Sequence, residues 1–181
     1  MAGRLACDIG FVFSNKADAP GLTRARDLGL PCGSLPSAGM ERAAFDALVA
    51  QRLKENGVDL VCLAGYMRLL SGDFVAQFPQ RILNIHPSLL PAFPGLDAQH
   101  QALMHGVKVT GCTVHFVDEN LDSGPILLQS AVPVLDTDTL ETLSARILKE
   151  EHRLYSDAIA WVARGNYRIE GRRVVKADVA T

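Results

Sequence analysis

Asp59–Gly65 (Asp-Leu-Val-Cys-Leu-Ala-Gly) is a near-continuous apolar run that ends on a glycine. A run of that kind fits a strand covered on both faces, as in parallel sheets packed between helices. The flanking sequence repeats the theme. Leu5–Ser14 is rich in Ile, Val and Phe and stops at the turn signal Ser14-Asn15, which predicts a strand. Asp18–Leu28 predicts a short helix, with Pro20 in its first turn and Gly29 past its end. Residues 31–35 make a weak strand. Met40, Ala43, Ala44, Ala47 and Leu48 recur at helical spacing until Gly57 stops them. A helical stretch at 72–77 and a strand at 81–85 follow. Strand and helix in alternation predict an α/β fold built on a mostly parallel sheet.

After residue 97 the pattern changes. Residues 97–105 look helical, and Val107–Val117 and Pro125–Val134 predict two long strands joined by the turn Asp118–Gly124, an antiparallel addition. The longest helix is expected over 138–163, with Leu140, Leu143, Ile147, Leu154, Tyr155, Ala158 and Val162 along one stripe. A hairpin around Gly171 and a weakly ordered tail over 172–181 complete a single domain, 1–181. A net charge of −2 gives no electrostatic reason to expect nucleic acid or an anionic membrane as partner. No apolar run approaches a membrane span, and Arg4, Asp8 and Gly10 interrupt any signal-like start. Cys7, Cys32, Cys62 and Cys112 form no C-x-x-C, and two of them sit in strongly apolar strand candidates, where buried free thiols are common. That distribution points to a reducing cytoplasm.

The chemistry concentrates in residues 84–95, Asn-Ile-His-Pro-Ser-Leu-Leu-Pro-Ala-Phe-Pro-Gly. Asn84 and His86 are two apart on an extended segment, so they face the same way. A hydrogen-bond donor beside a proton carrier suits acyl transfer, in which an oxygen gains negative charge while a proton moves nearby. The plainer reading has Asn84 closing a turn and His86 as a satisfied structural histidine. Asp122 lies in Asn120-Leu121-Asp122-Ser123-Gly124-Pro125, by composition a turn. If the long antiparallel pair folds back over 84–95, its carboxylate meets His86 and favours the imidazolium. Tyr66-Met67-Arg68-Leu69-Leu70 follows the 59–65 strand, and Glu150-Glu151-His152-Arg153 sits in the long helix, by default a solvated face. His100, His105, His115 and Cys112 lack the short ligand spacing of a zinc motif, so no metal is expected. Ser88 lacks a G-x-S-x-G setting, which argues against a serine nucleophile.

Phe13–Ala19, Leu63–Arg68, the 84–95 block, Gly111–Phe116, Leu121–Ile126 and Glu151–Tyr155, in that order, resemble the formyltransferase family that uses 10-formyltetrahydrofolate. The resemblance spans nearly the whole chain and implies a Rossmann-like α/β fold. It implies catalytic roles for Asn84, His86 and Asp122. It also implies that the folate lies against Met67, Arg68, Leu69 and Leu70 and against Asp118, Glu119, Asn120, Leu121 and Asp122, with Asn84 also in contact and Arg42 near the acidic tail. Glu151 would hold the amine of the acceptor. Pro94-Gly95-Leu96 with Gln101-Ala102-Leu103 favours the branch acting on glycinamide ribonucleotide in purine synthesis over relatives that formylate a charged transfer RNA. Pro87 favours it over the formylfolate hydrolases, which remain the nearest alternative. A further alternative is a folate-binding remnant without turnover.

One departure from the family pattern stands at the start. Met1–Leu5 reads as the tail of a helix running into the second strand, without the preceding strand and phosphate-binding loop, and no G-x-G element replaces them. The expected protein is therefore an N-terminally shortened, cytoplasmic transferase, monomeric or homodimeric, acting on two small molecules without metal.

Overall fold

A computed structural model describes residues 7–177. The expected helix tail at Met1–Leu5 and the tail end at 178–181 lie outside them. The described chain divides into two compact units, one of residues 62–68 and 82–177, the other of residues 7–61 and 69–81.

The second unit holds the first strand–helix alternations. β1 (Val12–Ser14) pairs parallel with β2 (Cys32–Ser34), and α1 (Pro20–Asp27) lies between them in sequence. The strand expected from Leu5 begins only at Val12; residues 7–11 are irregular. α2 (Arg42–Glu55) starts where the Glu41 carboxylate accepts from the amides of Ala43 and Ala44, at 2.8 and 3.2 Å. Such a cap satisfies donors the helix itself leaves open. The helix is where the spacing puts it, but its buried face is another one. Phe45, Asp46, Val49, Ala50 and Leu53 are buried, whereas Ala43, Ala44, Ala47 and Leu48 are exposed. Phe45, Val49 and Leu53 carry more apolar area than a row of alanines, so they decide which way the helix turns. The buried Asp46 accepts from the Ser71 amide at 2.7 Å, just ahead of α3 (Gly72–Gln77), which Ser71 caps.

The first unit carries a six-stranded sheet in the order β3-β4-β5-β6-β8-β7. Its strands are β3 (Val61–Leu63), β4 (Ile82–His86), β5 (Val109–Phe116), β6 (Ile126–Pro133), β7 (Tyr167–Glu170) and β8 (Arg173–Lys176). β4 runs antiparallel to β5, β5 to β6 and β7 to β8, while β6 and β8 are parallel. The antiparallel addition expected from the long pair is present and extends back to β4. β8 occupies part of the stretch expected as tail, because pairing with β6 and β7 satisfies its backbone.

α5 (Leu140–Arg164) lies on β5 and β6 and packs against α4 (Ala98–Met104). Leu143, Ile147, Leu154, Ala158 and Val162 of α5 are buried, and Leu140, at the exposed first turn, falls outside the expected stripe. Each fully buried Leu, Ile or Val contributes about 1.5–3 kcal/mol, so this stripe outweighs any intrinsic helix preference. Tyr155 reaches down from α5 to donate to the carbonyls of Leu63 and Leu83, at 2.8 and 3.0 Å. That contact ties the helix to the strand carrying Asn84 and His86. Helices on a sheet with these connections make the α/β architecture expected from the sequence.

Candidate active site

Antiparallel register assembles the site. Asn84 stands opposite His115, and His86 opposite Thr113, so four polar side chains of β4 and β5 share one face. Cys112, Val114 and Phe116 alternate onto the other face, which α5 covers, and all three are buried. Burial there pushes the Cys112 thiol up to about 12, with Glu151 and Glu150 adding to the effect. A single strand thus separates an apolar core from a polar cluster.

Hydrogen bonding fixes the state of the His115 ring. His115 Nδ1 lies 2.9 Å from the Phe116 carbonyl, which can only accept, so Nδ1 carries the hydrogen. Its Nε2 then accepts from the Asn84 amide at 3.3 Å. Burial lowers the pKa of His115, in keeping with this neutral form. The 3.8 Å approach of its bare Nε2 to Asp122 Oδ1 is therefore a contact between two acceptors rather than an ion pair. Since His115 takes one hydrogen of the Asn84 amide, the other is left to point at a ligand.

His86 is oriented from the opposite side. Its Nε2 donates to the Phe93 carbonyl at 2.8 Å, and its Nδ1 sits 3.4 Å from Asp122 Oδ2. Both side chains are almost fully buried, at 6% and 8% exposure, so their interaction is little screened by water. Asp122 Oδ2 also accepts from the Gly95 amide at 2.8 Å. The carboxylate comes from the 118–124 turn, which Asp118 organises by accepting from the Asn120 amide (2.9 Å) and the Ser123 hydroxyl (3.1 Å). Gly124 closes that turn against β5: a Cβ there would stand 1.8 Å from the Phe116 carbonyl oxygen. Asp122 itself has φ +47°, an unfavourable conformation for a residue with a side chain.

Asn84, His86 and Asp122, the three residues singled out as catalytic, thus meet in space. Glu151 is half-buried on α5, close enough for its charge to act on His86, and burial raises its carboxyl pKa. Asp118 is partly buried, while Glu119, Asn120 and Leu121 are exposed along the turn. Met67 and Arg68 lie in an irregular segment after β3, with Met67 77% exposed. Arg42, Leu69 and Leu70 belong to the other unit, where Arg42 and Leu69 are exposed and Leu70 is partly buried.

Three contributors were not picked out from the sequence: His115, the Phe93 carbonyl and the Gly95 amide. Two polar side chains at alternate positions of an apolar strand, Thr113 and His115, were the available signal for the first. The other two are backbone groups, which side-chain chemistry does not announce. His115 and Cys112, grouped as remote metal candidates, point to opposite faces of β5, and His105 instead packs on the Phe93 ring at 5.2 Å. None of the four cysteines is in a disulfide, and Cys62, expected in a buried strand, is exposed while Cys112 is buried. Among the described residues no helix is long and apolar enough to cross a membrane.

A buried imidazole beside a carboxylate, with an amide hydrogen directed alongside, can stabilise an oxyanion and carry a proton over a short path. Proteins of known structure and name share this chain's pattern. The crystal structure of glycinamide ribonucleotide transformylase 1 from Symbiobacterium toebii is 62% identical with a TM-score of 0.89, over 93% of this chain and 80% of that one. Phosphoribosylglycinamide formyltransferase of Escherichia coli (strain K12) is 44% identical over 159 residues, 87% of this chain and 75% of that protein. The trifunctional purine biosynthetic protein adenosine-3 of Bos taurus is 49% identical over 162 residues, which make up 89% of this chain but 16% of that far longer protein. Residues 2–159 match the family described as Formyl transferase. The chain belongs to the formyl transferase family.

Proposed function

We propose that this chain, as a single formyltransferase domain in the cytoplasm, moves a formyl group from 10-formyltetrahydrofolate to the amine of glycinamide ribonucleotide. The observation that carries the proposal is the buried meeting of Asn84, His86 and Asp122. The glycinamide nitrogen attacks the formyl carbon, forming a C–N bond and a tetrahedral oxyanion. Asn84 donates its second amide hydrogen to that oxygen. His86, held against Asp122, lies beside the same oxygen. The proton lost by the attacking amine is taken up by the Asp122–His86 pair, which delivers one to the folate nitrogen N10 as its bond to the formyl carbon breaks. Tetrahydrofolate and the formylated amide leave, with no covalent enzyme intermediate and no net change in protons.

In this reading Glu151 receives the acceptor's amine, its half-buried carboxylate accepting a hydrogen bond from the nitrogen that attacks. The folate lies along Met67 and Arg68 and along the Asp118–Asp122 turn, where exposed Met67 and Leu121 supply apolar surface for its rings. The test is a product assay with 10-formyltetrahydrofolate, with and without glycinamide ribonucleotide. Transfer predicts formylated ribonucleotide and tetrahydrofolate in equal amounts, and no formate above background. Formate released at the same rate with or without the ribonucleotide identifies water as the acceptor and overturns the proposal.

A further inference from the structure

His86 and Asp122 reach the site from different elements, β4 and the 118–124 turn, and both are held by the backbone of one short loop segment. The Phe93 carbonyl takes the hydrogen on His86 Nε2, and the Gly95 amide donates to Asp122 Oδ2, each at 2.8 Å. We propose that Phe93–Gly95 is a positioning clamp: two backbone groups, two residues apart, fix the imidazole against the carboxylate and so set the rate of proton movement without touching substrate. The inference rests on the catalytic reading of His86 and Asp122 given above.

Three features support a clamp over incidental contact. First, the segment is conformationally costly. Phe93 has φ +51°, and such backbone in a residue with a side chain persists only where surrounding contacts over-determine it. Second, those contacts exist. The fully buried Ser88 hydroxyl lies 2.5 Å from the Ala92 carbonyl and 3.3 Å from that of Phe93, so the loop closes on its own start. Thr113 Oγ1 donates to the Ser88 carbonyl (2.7 Å) and accepts from the Leu90 amide (3.0 Å), while Gln129 of β6 donates to the Leu90 carbonyl (2.9 Å). Through them the loop inherits the rigidity of β5 and β6. Third, Asp122 is itself in left-handed backbone at the tip of a turn, so its carboxylate needs an external anchor, and the Gly95 amide is the shortest contact it makes.

Gly95 offers a clean probe. A Cβ placed on it would meet nothing nearer than Leu121 Cδ2 at 3.7 Å, so an alanine is opposed by its backbone angle and not by a clash. Asparagine enters left-handed backbone more readily than alanine and should hold the amide in place.

The experiment compares wild type, Gly95→Ala, Gly95→Asn, Ser88→Ala and Asp122→Asn by kcat and by KM for both substrates. Gly95→Ala should lose about 10–100-fold in kcat, the scale set by ångström misplacement of catalytic groups. Both KM values should stay within a few-fold. Gly95→Asn should recover most of the rate. If Gly95→Ala fails to unfold cooperatively, Ser88→Ala takes its place, since it loosens the Phe93 carbonyl and should lower kcat with KM preserved. Wild-type kcat in the folded variant, beside an inactive Asp122→Asn, overturns the clamp and leaves the catalytic reading intact. Wild-type turnover by Asp122→Asn overturns the catalytic reading, and the clamp with it.

Discussion

Asn84 owes its orientation to a histidine that stays neutral. Because His115 gives its Nδ1 hydrogen to the Phe116 carbonyl, its Nε2 can only accept, and the Asn84 amide must present nitrogen to it rather than oxygen. The amide is thereby preset as a donor toward the site, before any substrate arrives. Asn84→Ala removes an interaction with developing charge, so single-turnover transfer should fall by about 10²–10³ while folate affinity stays within a few-fold. Parallel losses of binding and rate would assign Asn84 to substrate holding instead. Glu151 shows the reverse economy, a carboxylate kept where burial opposes its charge. Its folded pKa is raised above the unfolded value of 4.5, so the folded state binds the extra proton and stability falls as pH rises through the folded pKa. Glu151→Gln should therefore unfold at a higher temperature than wild type at neutral pH, with the gain vanishing in acid below the unfolded pKa, while the acceptor's KM rises. An equal Tm at neutral pH would show that burial does not strain this group.

β5 joins the core to the chemistry, and its alternation was only half legible. The apolar residues of 107–117 predicted a strand, and β5 lies within that span. Thr113 and His115 could be read as polar interruptions, but not as one lining, until pairing with β4 placed them beside Asn84 and His86. The same limit applies to α2, where helical spacing was evident but four alanines could not say which face the larger Phe45, Val49 and Leu53 would bury. Thr113 does structural work on the functional face: its hydroxyl serves the Ser88 carbonyl, the Leu90 amide and the Gln129 side chain together. Thr113→Val keeps the shape and strands buried polar partners, at an expected cost of about 2–3 kcal/mol in urea unfolding. A midpoint equal to wild type would mean that water or a shifted loop replaces the hydroxyl.

Across the molecule, each of the three catalytic candidates belongs to the unit built on the six-stranded sheet, although they span residues 84 to 122. The order of elements was readable because helical and extended periodicities differ, and the motif around 84–95 marked where chemistry would gather. What remained hidden was long-range and backbone-borne: the return of the 118–124 turn onto β4, and the amide and carbonyl that hold its carboxylate. If His86 and Asp122 act as one unit, removing either should disable the same step. The decisive measurement is the single-turnover rate of formyl transfer to glycinamide ribonucleotide for His86→Ala, Asp122→Asn and the double variant. Acting together, the pair predicts a double variant no slower than about the worse single one, because the second substitution has nothing left to remove. Losses that multiply, or single variants as fast as wild type, would contradict it.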